Sequence, residues 1–183
     1  MKFFAITPEY VSCKDIVQYL PVLKDKGVAY VYIRSSRLYD DCETIVAASK
    51  KTGIMPIIPL SLSESFRELS AGIHFKSFEA DLLTKELSSQ APVITAACHD
   101  FETAVTLLQG RADYVFVSPV FKPLSKQEDS RELFPRDKLC ELIGMFGERV
   151  VALGGMTDKR ILELHSEAGY DFSAAGITMF FNN

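Results

Sequence analysis

Short apolar runs alternate with amphipathic segments along this chain at a steady spacing. Three amphipathic segments repeat their apolar residues with the period of a helix, and they cover Asp15–Leu23, Asp100–Leu108 and Asp158–His165. Asp100 suits a helix N-terminus, and Thr157 is a suitable N-cap for the third segment. Eight apolar runs have the length of buried strands: Phe3–Ile6, Ala29–Ile33, Met55–Leu60, Gly72–Phe75, Pro92–Ala97, Tyr114–Ser118, Val150–Leu153 and Tyr170–Ala175. Strands that alternate with helices predict βαβ units and a parallel sheet.

The number and spacing of the predicted strands favour a closed barrel. At about 23 residues per repeat, eight strands fit a (β/α)8 barrel better than an open doubly wound sheet. A chain of 183 residues has the usual size of one domain. We therefore expect residues 1–183 to form a single α/β domain, a (β/α)8 TIM barrel.

Little sequence follows the eighth predicted strand. We therefore expect the last helix of the barrel to be short or missing. The barrel would then be open on that side, or a partner subunit would cover it, and a truncated chain is a third explanation. The second explanation predicts a homo-oligomer.

Composition excludes several classes of protein. A net charge of −4 without any run of Lys or Arg argues against a nucleic-acid partner, and no apolar run approaches the length of a membrane span. The apolar stretch at the start is too short for a secretory signal. The four cysteines are widely spaced, with no Cys-x-x-Cys pair, which favours reduced thiols over zinc ligands. We therefore expect a cytoplasmic protein that does not bind a membrane.

Function in a barrel of this kind is located at the carboxyl ends of the strands, so polar residues and glycines there are candidates. These are Tyr32 and Arg34 after strand two, His74 in strand four, His99 after strand five, Ser118 at the end of strand six, Gly154 and Gly155 after strand seven, and Gly176 after strand eight. Because these positions converge on one rim, they predict a single binding site.

Several candidates also have a purely structural explanation. An Arg at a strand end beside two serines suits bidentate phosphate binding, but Arg34 could instead pair with a rim carboxylate such as Glu9. His74 is more readily explained as a structural histidine inside a narrow barrel. His99 either contacts substrate or caps a helix. A dyad of His99 with Cys98 is disfavoured, because neighbouring residues of a strand face opposite sides.

Two segments carry the strongest chemical signal. Ala112–Phe121 is a buried strand that ends in a polar loop, with Lys126 behind it. The strand Val150–Leu153 runs directly into Gly154-Gly155 and a predicted helix. A Gly-Gly turn before a helix is suited to an anion, since bare backbone N–H groups and the positive helix terminus point at the ligand. The glycine pair could also serve packing alone.

The two segments resemble the thiamine phosphate synthase/TenI family of small (β/α)8 barrels. The family patterns there are roughly A-D-Y-V-x-x-G-P-V-F-x-T…K and V-x-A-I-G-G-[IM]-T, and the similarity covers nearly the whole chain. It implies that Lys126 and the Gly154-Gly155 pair hold phosphate groups. Arg34 matches the Arg of a Gln-x-Arg-x-Lys motif that contacts pyrimidine pyrophosphate, and His99 matches the histidine of an S-x-H motif. Arg34, Lys126 and His99 are the predicted catalytic residues, and the other rim candidates are predicted to bind substrate.

The same resemblance implies magnesium, but the ligand set is incomplete. The Asn-Asp-Asp that supplies a magnesium ligand after strand three is replaced by Leu60-Ser61-Leu62. Glu79 is a weak stand-in for the second magnesium carboxylate. We therefore expect any Mg²⁺ to be held weakly, through Glu79 and water.

The implied activity is the coupling of hydroxymethylpyrimidine pyrophosphate with thiazole phosphate, which gives thiamine phosphate and pyrophosphate. The TenI type instead isomerises a thiazole carboxylate phosphate with a His directly after strand six. Pro119 occupies that position here, so His99 or His74 would have to substitute. A third hypothesis is a non-catalytic binder of a phosphorylated thiazole or thiamine-like ligand. All three predict small phosphorylated pyrimidine or thiazole ligands as partners.

Overall fold

A computed structural model describes residues 1–83, 91–122 and 131–181. Eight strands form a closed parallel barrel in sequence order, and β1 pairs with β8 to close it. The strands are β1 Phe3–Ile6, β2 Val28–Tyr32, β3 Met55–Pro59, β4 Gly72–Phe75, β5 Ile94–Cys98, β6 Tyr114–Val117, β7 Val150–Leu153 and β8 Ser173–Gly176. The predicted (β/α)8 TIM barrel is confirmed.

The last predicted strand begins later than the sequence pattern indicated. Gly169 ends the preceding helix in the left-handed conformation, and the exposed Tyr170 and Asp171 then lead into β8 at Ser173. The apolar appearance of Tyr170 therefore does not reflect a place in the sheet.

Helices follow most of the strands on the outside of the barrel. They are α1 Cys13–Asp25, α2 Cys42–Lys51, α3 Phe101–Gln109, α4 Arg136–Phe146, α5 Asp158–Ala168 and α6 Thr178–Phe181. Short 3-10 turns lie at Ser36–Leu38, Leu60–Leu62, Arg67–Leu69, Ser77–Leu82 and Gly147–Arg149.

Side-chain caps mark the beginning of α1, α3 and α5. Asp100 accepts from the backbone N–H of Thr103 at 2.8 Å and so caps α3. Thr157 caps α5 in the same way, as predicted. The first helix begins earlier than predicted, because Ser12 is its N-cap and Asp15 reaches back to the N–H of Ser12 in a capping box.

Aromatic rings fill the inside of the barrel. Phe4 stacks on Tyr30 with ring centroids 4.3 Å apart, and it meets Tyr114 and Phe116 edge-on at 5.1 Å each. These rings come from β1, β2 and β6, so they join opposite sides of the sheet into one core. The interior is therefore packed below the rim that carries the candidate site.

The last helix is short, as expected, yet aromatic side chains cover the side of the barrel beside it. The rings of Phe180 and Phe181 are buried. Phe180 meets Phe3 at 6.1 Å between centroids, and Phe181 stacks on Tyr19 of α1 at 5.5 Å. Two aromatic side chains thus supply packing that a longer helix gives elsewhere in the barrel.

The amino ends of the strands enclose a cavity of about 690 Å³ at the other end of the barrel. The hydroxyl of Tyr30 donates to that of Tyr114 at 3.2 Å. Arg149 donates to three backbone carbonyl oxygens between residues 108 and 113. Asp113 accepts from the N–H of Ile94 at 2.7 Å. These groups therefore bond to the protein itself, which suits the stabilising end of a barrel of this kind.

The cysteines are free thiols, as predicted. Burial raises the pKa of Cys42 to about 11 and that of Cys98 to about 12, so both thiols are protonated at neutral pH. Within the described ranges, no helix is long and apolar enough to cross a bilayer. The cytoplasmic location, the lack of a nucleic-acid partner and the homo-oligomer stay predictions.

Candidate functional site

The segment that carries Arg34 is fixed by the end of the first strand. Thr7 follows β1 directly, and its N–H donates to the carbonyl oxygen of Tyr32 at 3.0 Å. The Thr7 hydroxyl then accepts from the N–H groups of Arg34 at 2.9 Å and Ser35 at 3.3 Å. The backbone beyond β2 therefore turns over the rim in one defined position.

The guanidinium of Arg34 lies at the surface of the rim. Its side chain is 40% exposed and its Nη2 atom lies 3.5 Å from a carboxylate oxygen of Glu9. The predicted alternative, an ion pair with Glu9, is therefore present. Glu9 is itself 61% exposed, and an ion pair open to solvent contributes little free energy. An incoming anion can therefore compete for Arg34 without breaking a strong contact.

His99 is oriented by the end of the neighbouring strand. Its Nδ1 atom lies 2.6 Å from the backbone carbonyl oxygen of Ser118. Because a carbonyl oxygen only accepts, Nδ1 carries a proton, and in the neutral ring Nε2 is the free acceptor. The Ser118 hydroxyl lies 3.5 Å from the same nitrogen. His99 and Ser118 thus form one unit at the rim.

A Cys98–His99 dyad is not formed. Cys98 is buried, while His99 is exposed at the rim. The raised pKa of the Cys98 thiol keeps it protonated, which removes its nucleophilic form. Neighbouring residues of one strand face opposite sides, which is the reason that the sequence disfavoured this pair.

His74 lies inside the barrel and below the rim. Its Nδ1 is 2.8 Å from the hydroxyl oxygen of Thr95, and that hydroxyl donates to the carbonyl oxygen of Ile73 at 3.4 Å. Its ring packs 4.4 Å from that of Tyr32 and 5.1 Å from that of Phe116. Burial lowers the pKa of His74 to about 3, so the ring is neutral at physiological pH. These contacts favour the structural interpretation of His74.

Tyr32 shares this environment. Its side chain is buried, and burial raises the pKa of its phenol above the ordinary value. Tyr32 therefore contributes a neutral aromatic wall under the rim. Substrate contact by Tyr32 or His74 stays a prediction.

The glycine pair after β7 is a place of close backbone approach. Gly154 and Gly155 have φ angles of +102° and +60°. A Cβ atom on Gly155 would lie 2.4 Å from the carbonyl oxygen of Lys122. The N–H of Phe121 donates to the carbonyl oxygen of Gly154 at 3.1 Å. The glycine pair therefore serves packing. Its contacts hold the segment after β6 against the turn that leads into α5.

Arg160 belongs to this part of the rim, although the sequence pattern placed it only in an outer helix. Its Nη1 donates to the carbonyl oxygen of Gly155 and lies 3.5 Å from that of Lys122. Its guanidinium also lies 4.8 Å from the centre of the Phe121 ring, and Arg136 covers the same ring at 4.7 Å. One signal could have identified it, since Arg160 lies in the first turn after the Thr157 cap and so next to the Gly-Gly turn.

For two further candidates, the described residues show no contact that bears on binding of a ligand. Lys126 lies outside the described residues, so its role stays a prediction. Gly176 ends β8, where a Cβ atom would come within 3.1 Å of the Met179 side chain. The contact that explains a glycine there is with the last helix, and binding of substrate by Gly176 also stays a prediction.

Weak magnesium binding through Glu79 and water stays a prediction. Glu79 lies in the turn after β4, and its carboxylate accepts from the N–H of Lys76 at 2.8 Å. Leu60–Leu62 forms a 3-10 turn after β3 and brings no carboxylate. In the part of the chain that the structure describes, no three His, Cys, Asp or Glu side chains lie close enough to hold a metal ion together.

Five of the predicted site residues lie at one rim of the barrel. Arg34, His99, Ser118 and the glycine pair all follow or end strands of one parallel barrel, so they lie at its carboxyl end. His74 and Tyr32 lie one layer below them. The rim offers an exposed guanidinium, an oriented imidazole and a Gly-Gly turn before a helix, a set suited to phosphate groups.

Comparisons with known proteins agree with this arrangement. The family model for thiamine monophosphate synthase matches residues 3–178. A protein of Aquifex aeolicus (strain VF5) named putative thiamine-phosphate synthase 2 is 25% identical over 186 residues, covering 98% of this chain and 97% of that protein.

Solved structures share the barrel. A thiamine phosphate pyrophosphorylase from Pyrococcus furiosus has a TM-score of 0.74 at 18% identity, covering 97% of this chain and 85% of that one. One from Bacteroides thetaiotaomicron has a TM-score of 0.65 at 19% identity, covering 100% and 85%. An N-acetylmannosamine-6-phosphate 2-epimerase from Clostridium perfringens reaches 0.68 at 15% identity, covering 98% and 87%. At such identities these matches speak for the fold alone.

Proposed function

Because the chain belongs to the thiamine monophosphate synthase family, we propose that it couples hydroxymethylpyrimidine pyrophosphate with thiazole phosphate. In this reaction the bond between the pyrimidine methylene carbon and the pyrophosphate oxygen breaks, and pyrophosphate leaves with the electron pair. The thiazole nitrogen then forms a bond to that carbon. The products are thiamine phosphate and pyrophosphate, so no redox partner is needed.

The observation that carries this proposal is the exposed guanidinium of Arg34 on a fixed backbone. The N–H groups of Arg34 and Ser35 both donate to the Thr7 hydroxyl, while the side chain of Arg34 is 40% exposed. A cation in a set position stabilises the charge that develops on a leaving pyrophosphate. We assign this task to Arg34, helped by Lys126 as the family resemblance implies.

The second phosphate group is assigned to the Gly-Gly turn. This turn precedes the Thr157 cap and the N-terminus of α5, where backbone N–H groups and the helix dipole favour an anion. The thiazole phosphate would lie there, on the β7 side of the rim. His99 would contact the ligand between the two phosphate sites through Nε2.

Magnesium has no step in this proposal. The predicted ligand Glu79 is half-buried, and its carboxylate already accepts from the backbone N–H of Lys76. Dependence on magnesium is therefore a question for the assay, and weak binding through Glu79 and water is the proposal that it tests.

A second candidate function has a specific observation in its favour. A thiazole tautomerase needs an acid or base next to β6, and Pro119 cannot serve. The imidazole of His99 is bonded to the carbonyl oxygen of Ser118, one residue before Pro119, and in its neutral form Nε2 can accept a proton. His99 could therefore replace the missing histidine from the neighbouring strand.

The deciding experiment is a coupling assay on the full chain with both substrates, with and without added magnesium. We expect thiamine phosphate to form, and Arg34→Ala to lower kcat/KM about a hundredfold, the usual loss when one group that stabilises transition-state charge is removed. Arg111→Ala is the matched control, since Arg111 is exposed and precedes β6 at the opposite end of the barrel.

A folded protein that makes no thiamine phosphate in either condition contradicts the synthase proposal. The same preparation is then tested for interconversion of thiazole carboxylate phosphate isomers. If that activity depends on His99, the tautomerase is the function. Binding of thiazole phosphate without either turnover identifies a binder.

A further inference from the structure

The buried hydroxyl of Thr7 holds the segment that carries Arg34, and we propose that Thr7 is a positioning residue for binding of a pyrophosphate group at this rim. The inference rests on the proposed function only in the identity of the anion. Thr7 itself touches no ligand, because its side chain is fully buried.

Thr7 joins two strand ends through three hydrogen bonds. Its N–H donates to the carbonyl oxygen of Tyr32, the last residue of β2, at 3.0 Å. Its hydroxyl oxygen accepts from the N–H groups of two consecutive residues, Arg34 and Ser35, at 2.9 and 3.3 Å. The residue that follows β1 therefore fixes the direction in which the chain leaves β2.

The hydroxyl of the neighbouring Ser35 does not help to hold the segment that carries Arg34. Ser35 is fully buried, and its Oγ atom has no hydrogen-bond partner among the described residues. The hydroxyl of Tyr39 donates to the carbonyl oxygen of Arg34, but at 3.4 Å and from an exposed contact. Thr7 thus provides the buried tether of this segment.

The chemistry of the tether decides which substitutions keep it. A hydroxyl oxygen with two lone pairs can accept two N–H groups, and serine offers the same oxygen. Valine has the shape of threonine but no acceptor, so the buried N–H of Ser35 would lose its partner. The N–H of Arg34 would keep only its bond to the carbonyl oxygen of Tyr32, at 3.1 Å. The segment would then move to find water or another acceptor, and Arg34 would move with it.

The test measures binding of inorganic pyrophosphate by isothermal titration calorimetry without metal. We expect Thr7→Val to weaken binding about tenfold, the size of one lost charge-assisted hydrogen bond, and Thr7→Ser to stay within about twofold of the wild type. Thr7→Ala, which also lacks the acceptor, replaces the valine variant if that protein does not fold. Ser49→Ala is the matched control, because Ser49 is buried and its hydroxyl bonds to the Ile45 carbonyl within α2.

A double-mutant cycle separates positioning from a general loss of structure. If Thr7 acts through Arg34, then Thr7→Val has no further effect on pyrophosphate binding in a protein that already carries Arg34→Ala. Additive losses, an unaffected Thr7→Val protein, or a wild-type protein that binds no pyrophosphate would each overturn the inference. The coupling assay runs on the same samples, so a protein that binds through Thr7 and Arg34 but makes no product contradicts the proposed function alone.

Discussion

Two histidines show how surroundings give one residue type different roles. His74 is enclosed by the rings of Tyr32 and Phe116, and its Nδ1 is satisfied by the Thr95 hydroxyl. Its lowered pKa follows from the loss of water around the ring. His99 is exposed, and the Ser118 carbonyl oxygen fixes its tautomer. The first ring is part of the core, and the second can meet a ligand.

The buried neutral His74 predicts a loss of stability in acid. Its pKa is about 3 in the folded protein against an ordinary value of 6.5. Between these values the unfolded chain binds a proton that the folded protein does not. The free energy of unfolding should therefore fall by roughly 1 kcal/mol for each unit of decreasing pH in that window from this residue alone.

Urea unfolding of the wild type and of His74→Asn across that window measures this contribution. The amide of Asn can still donate to Thr95 but does not titrate, so the difference between the two profiles isolates the imidazole. We expect the advantage of the wild type to shrink as the pH falls. Parallel profiles would show that His74 is protonated in the folded protein as easily as in the unfolded chain.

At the scale of elements, the rim depends on contacts between connections that follow different strands. The segment after β6 lies directly on the Gly-Gly turn after β7, and Arg160 of α5 bonds to the carbonyl oxygen of Gly155. Phe121 lies between the guanidinium groups of Arg136 and Arg160. These contacts join α4, α5 and the two strand ends, so the Gly-Gly turn and the base of the segment after β6 form one unit.

A methyl group on Gly155 should break that unit. Gly155→Ala would place its Cβ 2.4 Å from the Lys122 carbonyl oxygen at a φ of +60°, and we expect the protein to lose about 2–4 kcal/mol of unfolding free energy. Gly169→Ala is the matched control, since Gly169 has a φ of +70° with no atom within 4 Å of the added Cβ.

Gly169→Ala should lose only about 1 kcal/mol of unfolding free energy, because alanine is strained at a positive φ there but its Cβ meets no other atom. Chemical denaturation of both variants gives the two values. Equal losses would mean that the close approach of Lys122 to Gly155 adds nothing to the stability of the rim.

At the scale of the whole molecule, the barrel is closed by β8 and sealed by a very short last helix. Ala175 of β8 pairs with Phe4 of β1. Beyond it, Phe180 packs on Phe3 and Phe181 stacks on Tyr19. The ammonium of Lys26 also donates to the carbonyl oxygen of Phe180 at 3.1 Å. The first and last elements of the fold are therefore held together by a few large side chains.

Removal of one of these rings should be costly for the whole fold. We expect Phe180→Ala to lower the unfolding free energy by about 3–5 kcal/mol, the usual result of emptying a buried aromatic site. Phe78→Ala, at a phenylalanine that is 78% exposed, should change it by less than about 0.5 kcal/mol.

Denaturant midpoints at equal protein concentration compare the two variants. A small effect of Phe180→Ala would mean that the closing segment contributes little to the barrel. Sedimentation of the same proteins tests the predicted homo-oligomer independently.

The candidate site could be predicted only in part. Arg34 and the Gly-Gly turn were found because each lies at the end of a strand, and strand ends of a parallel barrel always share one rim. Thr7 was missed because its hydroxyl bonds to residues that are distant in the sequence. Arg160 was missed because its contacts with Lys122 and Phe121 are also distant, although its bond to Gly155 is local. The boundary of β8 was also missed, because the apolar character of Tyr170 does not show whether that ring is buried.

By itself the sequence determined the alternation of strands and helices, their order, and hence the barrel. These follow from local periodicity and from caps that lie within one turn of the residues they satisfy. Only the tertiary structure decided what each rim residue meets. It placed the Thr7 hydroxyl against the Arg34 backbone, Nδ1 of His99 against the Ser118 carbonyl and the Gly-Gly turn against Lys122. Those contacts arise when separate strand ends come together on closure of the barrel, and no local pattern in the chain records them.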